Sequence, residues 1–298
     1  MINIDYIQGV ITMHKVPCLN LAEVMNGIYE KDGTLLIAFK DILKESGYTR
    51  FSRIYIGSSF CTPYFLHLNE ALIKALCLLC EKERIKYTLV VPMFTQRYLE
   101  QGKQLIQKIV ELSNGYLDEI TVNDYGMMEY IHSNYKQRIN LGRLFAKDYR
   151  EKRYGIYFSM TIKPKIFNSI MKEFVRRYQI YGLELDLTSQ KIDLEEAFEN
   201  LVVGFHYPYC YQTVGNICEI GSTNLPLEQK FRANHKCEME CEHQIIHYEA
   251  AEGGHYIKHG RAVFFENKDC EIIHGNEIRL IYAPKYMEES YGNIGTLK

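Results

Sequence analysis

SRIYIG (52–57), NEALIKALCLLCEKER (69–84) and YTLVVPMFT (87–95) follow one another along the chain, and their reading decides the fold. The first and third are apolar, β-branched and aromatic runs of strand length. The second has the composition and apolar spacing of a helix, with Asn69 in the N-cap position. Strand, helix and strand in immediate succession form the repeating unit of a parallel sheet.

The unit recurs downstream. QRYLEQGKQLIQKIVELSNG (96–115) has a helical apolar period and stops at Asn114-Gly115, and EITVND (119–124) is the next strand. A short helix from Gly126, RINLGR (138–143), YGIYFSM (154–160), a helix through KIFNSIMKEFVRRYQ (165–179), GLELDL (182–187), a short acidic helix near 191–199 and LVVGFHY (201–207) complete the series. Such a run predicts a complete or distorted (β/α)8-type, TIM-like α/β barrel, with an open doubly wound sheet as the alternative. Beyond residue 243 the character changes to IIHYEA, HYIKHG, RAVFFEN and IRLIYAP, short segments punctuated by Gly and Asn. The reading therefore divides the chain into an N-terminal cap (1–50, with LLIAFK at 35–40 as a candidate strand), a barrel (51–243) and a small β-rich C-terminal tail (244–298).

Composition narrows the function classes. Lys plus Arg (35) nearly balances Asp plus Glu (37) in 298 residues, so no global field recruits nucleic acid, which makes a small-molecule substrate the stronger expectation. The first residues, MINIDYIQGVITMHK, lack the pattern of a signal peptide, and no stretch has the apolar length to span a bilayer. A cytoplasmic protein without membrane contact is expected. Nine cysteines in a reducing compartment point to packing, metal or catalysis rather than disulfides.

Their spacing is the most specific feature of the chain. Cys210, Cys218, Cys237 and Cys241 form C-x7-C-x18-C-x3-C directly after the last barrel strand, within the loop-like stretches GNICEIGSTNLP (215–226) and RANHKCEMECEH (232–243). Thiolates are soft, charged donors, and a four-iron (4Fe-4S) cluster takes about four of them converging from loops. Cys61, in IYIGSSFCTPYF (54–65), follows the first strand at the end where a barrel carries its active site, so five sulfurs compete for four positions. A zinc site is the alternative, because His235, His243 and His247 surround the C-x3-C pair. Cys77 and Cys80 lie on the apolar face of a predicted helix and read as core, while Cys18 and Cys270 have no partner by spacing.

In a barrel the strand ends would also carry Asp124, Arg143, Glu184, Asp186 and His206. Asp124 and Glu184 are candidate acid–base groups, against helix capping and solvation as their ordinary uses. Arg143, with Lys147 and Arg150, offers cations to a carboxylate or phosphate. His206 is a candidate proton donor, against a structural histidine.

At these residues the chain resembles the collagenase-like peptidases of family U32, and particularly their small members acting in oxygen-independent ubiquinone hydroxylation. The likeness covers roughly residues 52–245 and rests on IYIGSSFC (54–61), TVNDYGMMEYI (121–131), GLELDLTSQKI (182–192) and FHYPYCYQTVGNICEIGS (205–222) followed by CEMEC (237–241). It implies an α/β barrel with a four-iron cluster, hydroxylation with a prephenate-like oxygen donor, and a related subunit as a hetero-oligomeric partner. In the long members the stretch before the second cysteine reads "AYSGRC", whereas TVGNIC (213–218) lacks its Ser and Arg. The small members take a ligand from the position of Cys61 and the long ones from that of Cys210; this chain has both. Proteolysis, which the family name suggests, would need a nucleophile or hydrolytic metal, and neither G-x-S-x-G nor H-E-x-x-H occurs.

Overall fold

The barrel strands are buried along nearly their whole length, as in a sheet that closes on itself under a layer of helices. In a computed structural model, which describes residues 16–24, 34–146, 161–188, 190–230, 232, 236–242, 244–249, 254–267, 272–273 and 277–284, eight parallel strands form a barrel. They are β1 (Cys18–Asn20), β2 (Arg53–Gly57), β3 (Lys86–Val91), β4 (Leu117–Val122), β5 (Arg138–Leu141), β7 (Gly182–Asp186), β9 (Val202–Tyr207) and β15 (Ile278–Tyr282). The order around the barrel is β1-β15-β9-β7-β5-β4-β3-β2. On β4, Glu119 and Thr121 join the polar interior, while Ile120 and Val122 belong to the main apolar cluster. Arg53 and Tyr55, Thr88, Asn140, Glu184, His206 and Arg279 likewise bond inside the barrel, and apart from Ser52 their sequence neighbours are apolar. Alternation along each strand thus puts polar side chains in the interior and aliphatic ones under the helices.

Two connecting helices show how local sequence supports this. Asn69 accepts from the Leu72 N–H at 2.9 Å and starts the helix Glu70–Glu83, which buries Leu72, Ile73, Leu76, Leu79 and Cys80 at helical spacing. Cys80 is core as expected, and Cys77 is half-buried against the Leu112 and Ser113 carbonyls. LLIAFK, a candidate strand by sequence, instead lies in the helix Thr34–Ser46, where Leu35, Phe39 and Ile42 recur at helical rather than alternate spacing.

The domain division also changes. β1 lies in the segment assigned to the cap and β15 in the segment assigned to the tail; β15 pairs in parallel with both β1 and β9 and so completes the ring. β5 pairs directly with β7, and YGIYFSM lies outside the described residues. The acidic stretch after residue 190 forms β8 (Lys191–Asp193) and turns rather than a helix; β8 sits between β6 (Thr161–Ile162) and β14 (Ile272–Ile273) in a small parallel sheet.

The other three tail segments do form β structure. β11 (Ile246–Glu249), β12 (His255–His259) and β13 (Ala262–Glu266) are antiparallel and pair with β10 (Tyr209–Val214), which continues from the C-terminal end of β9. This four-stranded sheet stands at the end of the barrel where parallel-barrel sites form. Tyr211 and Phe264 of the sheet meet Phe60, at ring-centroid distances of 4.9 and 5.7 Å. At the opposite end, Arg279 makes a bidentate pair with Glu119 (2.6 and 3.1 Å), and Arg138 joins it at 3.0 Å. That network neutralises the polar floor of the barrel.

Candidate functional site

Gly57 ends β2 with φ +109°, and a Cβ there would stand 2.2 Å from the Val90 carbonyl oxygen, so only glycine lets the chain turn inward here. The following Ser58 hydroxyl accepts the N–H groups of Phe60 (3.2 Å) and Cys61 (2.8 Å). It also bonds the buried carboxylate of Glu23 at 3.1 Å. Glu23 additionally accepts the Ser59 N–H and holds a left-handed φ of 70°, unusual for a residue with a side chain. Burial raises its pKa. Glu23 therefore anchors the loop that presents Cys61, a role with no motif in the sequence.

Deeper in the barrel, Glu184 and His206 come together. His206 Nε2 lies 2.8 Å from Glu184 Oε2, and the Thr121 hydroxyl donates to Glu184 Oε1. Asn20 Oδ1 accepts the Ala22 N–H at 3.0 Å, which turns its amide nitrogen toward His206 Nδ1 at 3.4 Å. Nδ1 is then the acceptor and Nε2–H the donor to Glu184. Burial raises the Glu184 carboxyl to about 7 and pushes the His206 imidazolium well below its ordinary range. A carboxyl that exchanges its proton near neutral pH is the property a general acid–base group needs. Sequence reading singled out Glu184 and His206 but not Thr121 or Asn20, whose contribution depends on strands far apart in the chain.

The raised carboxyl has a stability signature. Between the ordinary 4.5 and about 7 the folded protein holds a proton on Glu184 that the unfolded chain has released, so stability falls as pH rises through that window. His206, kept neutral in the fold, acts in the opposite direction below its unfolded pKa. Glu184→Gln should remove the carboxyl's share alone, about 3 kcal/mol across the window. Urea unfolding at pH 5 and pH 8 for both proteins measures it; equal pH dependence in the two would show that Glu184 has an ordinary pKa.

Arg143 and Asp124 are used by the protein itself. Arg143, 2% exposed, pairs with Asp186 and donates to the Tyr209 carbonyl at 3.0 Å. Its guanidinium lies 5.2, 5.4 and 5.7 Å from the Phe60, Tyr211 and Phe264 ring centroids. Asp186 also accepts the Tyr211 N–H at 3.2 Å, so the pair ties the outer sheet to the barrel rather than awaiting a ligand carboxylate. Lys147 and Arg150 lie outside the described residues. Asp124 is the N-cap of the helix Tyr125–Asn134, accepting from Met127 N–H at 2.7 Å and also from Phe94 N–H at 3.3 Å. The Met127 bond is its ordinary capping role, and the Phe94 bond ties the loop after β3 to the same carboxylate.

The cysteines separate into two groups. Cys61 and Cys241 are buried with Tyr64, Ile220 and Met239, and Cys218 and Cys237 pack against the same cluster. Cys210 is fully buried elsewhere, with Tyr256 and Phe265. The pleat of β10 explains the separation: Tyr211 faces Phe60 and Arg143, so its neighbour Cys210 faces the other side of the sheet. Of the five candidate ligands, Cys61, Cys218, Cys237 and Cys241 thus share one place and Cys210 does not.

A local turn aims an amide at one of these sulfurs. Gly221 N–H donates to Cys218 Sγ at 3.4 Å. Met239 adopts φ 63°, which folds C-x3-C into a tight turn. Burial pushes the Cys61 thiol up to about 12, and burial followed by its three sulfur neighbours pushes Cys241 well up. Four such thiols are an unfavourable group to ionise together without a cation. The donor set therefore fits a four-iron cluster.

Zinc, the alternative, accepts sulfur donors as well. Zinc gathers its donors at about 2.0–2.3 Å from a single point. Among the described residues no group of three or more His, Cys, Asp and Glu is arranged to hold one ion. His247 is exposed and bonds His255 at 3.0 Å, away from the sulfurs, while His235, His243 and Cys270 lie outside the described residues. Also among the described residues, no helix is long and apolar enough to cross a membrane.

The turn His259–Gly260–Arg261, between β12 and β13, lies against the same cysteines: a Cβ on Gly260 would stand 4.0 Å from Cys241 Sγ. In the sequence these residues read only as punctuation between two short strands. No family model, curated protein or solved structure matches the chain.

Proposed function

We propose that this chain is an iron–sulfur protein of the kind its resemblance to the U32 family implies. It would act as an enzyme or enzyme subunit in oxygen-independent hydroxylation, or related redox chemistry, on a small or aromatic substrate. The observation that carries the proposal is the convergence of Cys61, Cys218, Cys237 and Cys241 at the barrel mouth, from segments separated by up to 180 residues. Those four residues would hold the 4Fe-4S cluster, which supplies one-electron redox chemistry when bound.

The protein's own side chains supply the remaining parts. Glu184 takes up or returns a proton at Oε2, with Thr121 keeping Oε1 bonded and Asn20 fixing the His206 tautomer. Burial of this group excludes water, which maintains its pKa near neutrality. The prephenate-like oxygen donor and the related partner subunit come from the resemblance and are part of the same proposal. A peptidase reading gains no support from the geometry, because His206 bonds Glu184 and Asn20 rather than a Ser or Cys nucleophile.

Anaerobic purification followed by metal and sulfide analysis tests the proposal. The expected result is a brown protein with about four irons and four acid-labile sulfides per chain. Stoichiometric zinc without sulfide would overturn it.

A further inference from the structure

Arg261 is 6% exposed, and its Nε has no hydrogen-bond partner among the described residues. Nor does any described carboxylate form an ion pair with it. A guanidinium in that position is costly unless a negative charge faces it. Its charge acts on the sulfurs of Cys61 and Cys237, and the backbone immediately before it lies against Cys241. The other buried arginine of this end, Arg143, has Asp186 as its anion. Among the described residues no carboxylate serves Arg261 in that way, and the cysteine site lies beside its turn.

His259, on the other side of the turn, is buried as well. Gly260, at φ +56°, lets the chain reverse without a side chain intruding on the sulfur. The hairpin of β12 and β13 therefore brings one positive charge to the sulfurs of Cys61 and Cys237.

We propose that Arg261 is the counter-charge of the four-cysteine site, a positioning residue that raises the reduction potential of the cluster those cysteines would hold. The proposal rests on the iron–sulfur reading. Four thiolates exceed the positive charge of a four-iron core, so the site is an anion, and adding an electron increases that charge. A fixed cation beside it stabilises the reduced form more than the oxidised one, and net charge and hydrogen bonding are among the factors that set such potentials.

The test is a potentiometric titration, followed by electron paramagnetic resonance, on anaerobically purified wild type, Arg261→Gln and Arg261→Lys, with iron and sulfide measured first on each. The Gln variant should show at least a tenfold weaker reduction equilibrium, a downward shift of about 59 mV for one electron, and Lys should recover at least half of it. If the Gln variant retains no cluster, retention of iron by the Lys variant supports the charge role, and equal loss in both overturns it. Potentials unchanged in two iron-replete variants also overturn it, leaving the cluster reading intact. Wild type without iron and sulfide removes the cluster reading itself, and this proposal with it.

Discussion

Cys61→Ala should abolish retention of the iron–sulfur cluster, while Cys210→Ala should leave iron and sulfide at the wild-type level. The two residues are equivalent candidates by spacing, but their environments differ. Cys61 is packed with Cys218, Cys237 and Cys241, and its loop is held by Ser58 and Glu23. Cys210 belongs to a separate apolar cluster with Tyr256 and Phe265 on the far side of β10. Removing a ligand from a four-cysteine site opens the cluster to solvent and leaves one iron without its thiolate. Removing the buried Cys210 sulfur only creates a small cavity, costing on the order of 1 kcal/mol. Iron and sulfide analysis of both variants, with circular dichroism to confirm folding, decides the matter. Iron loss in Cys210→Ala with full retention in Cys61→Ala would reverse the ligand assignment.

Arg143→Ala should act on stability, by about 3–5 kcal/mol, because it leaves Asp186 buried without its cation. The guanidinium also fills the space between Phe60, Tyr211 and Phe264, so its removal loosens the contact between barrel and outer sheet. Asp186→Asn should destabilise similarly by stranding the positive charge, and an Arg143→Met/Asp186→Leu double variant should lose less than the sum of the two. Urea unfolding at pH 7 measures all three. A change below about 1 kcal/mol in Arg143→Ala, accompanied by lost affinity for a carboxylate ligand, would restore Arg143 as a substrate clamp.

The barrel was legible because its evidence is local. SRIYIG, YTLVVPMFT, EITVND, RINLGR, GLELDL and LVVGFHY each carry enough apolar and β-branched residues to register as strands, and all six contain barrel-strand residues. β1, with three residues, has too little sequence to register at all. β15 has a strand's composition but no feature separating it from the antiparallel segments before it. Its membership of the barrel follows from parallel pairing with β1 and β9, which are distant in sequence.

The site divides in the same way. The residue types for metal binding were visible in C-x7-C-x18-C-x3-C and in Cys61, and the acid–base candidates Glu184 and His206 could be read from strand ends. Their separation was not visible. Glu184 meets His206 across adjacent strands, Arg143 finds Asp186 rather than an external anion, and Asp124 caps its own helix. Glu23 and Arg261 carry no motif, because each is defined by what surrounds it: a loop from β2 for one and the sulfurs of Cys61 and Cys237 for the other.

By itself, then, the sequence determined the strand–helix period, the α/β barrel and the five cysteines competing for one site, since periodicity and spacing are properties of a chain read along its length. Only the tertiary structure decided which cysteines share a place, which charges are already paired and how the ring closes. Those outcomes depend on which face of a pleat a side chain occupies and which distant strand lies beside it. A one-residue change of face turns Tyr211 toward Arg143 and Cys210 away from the other sulfurs, and no local pattern records the partner on either side.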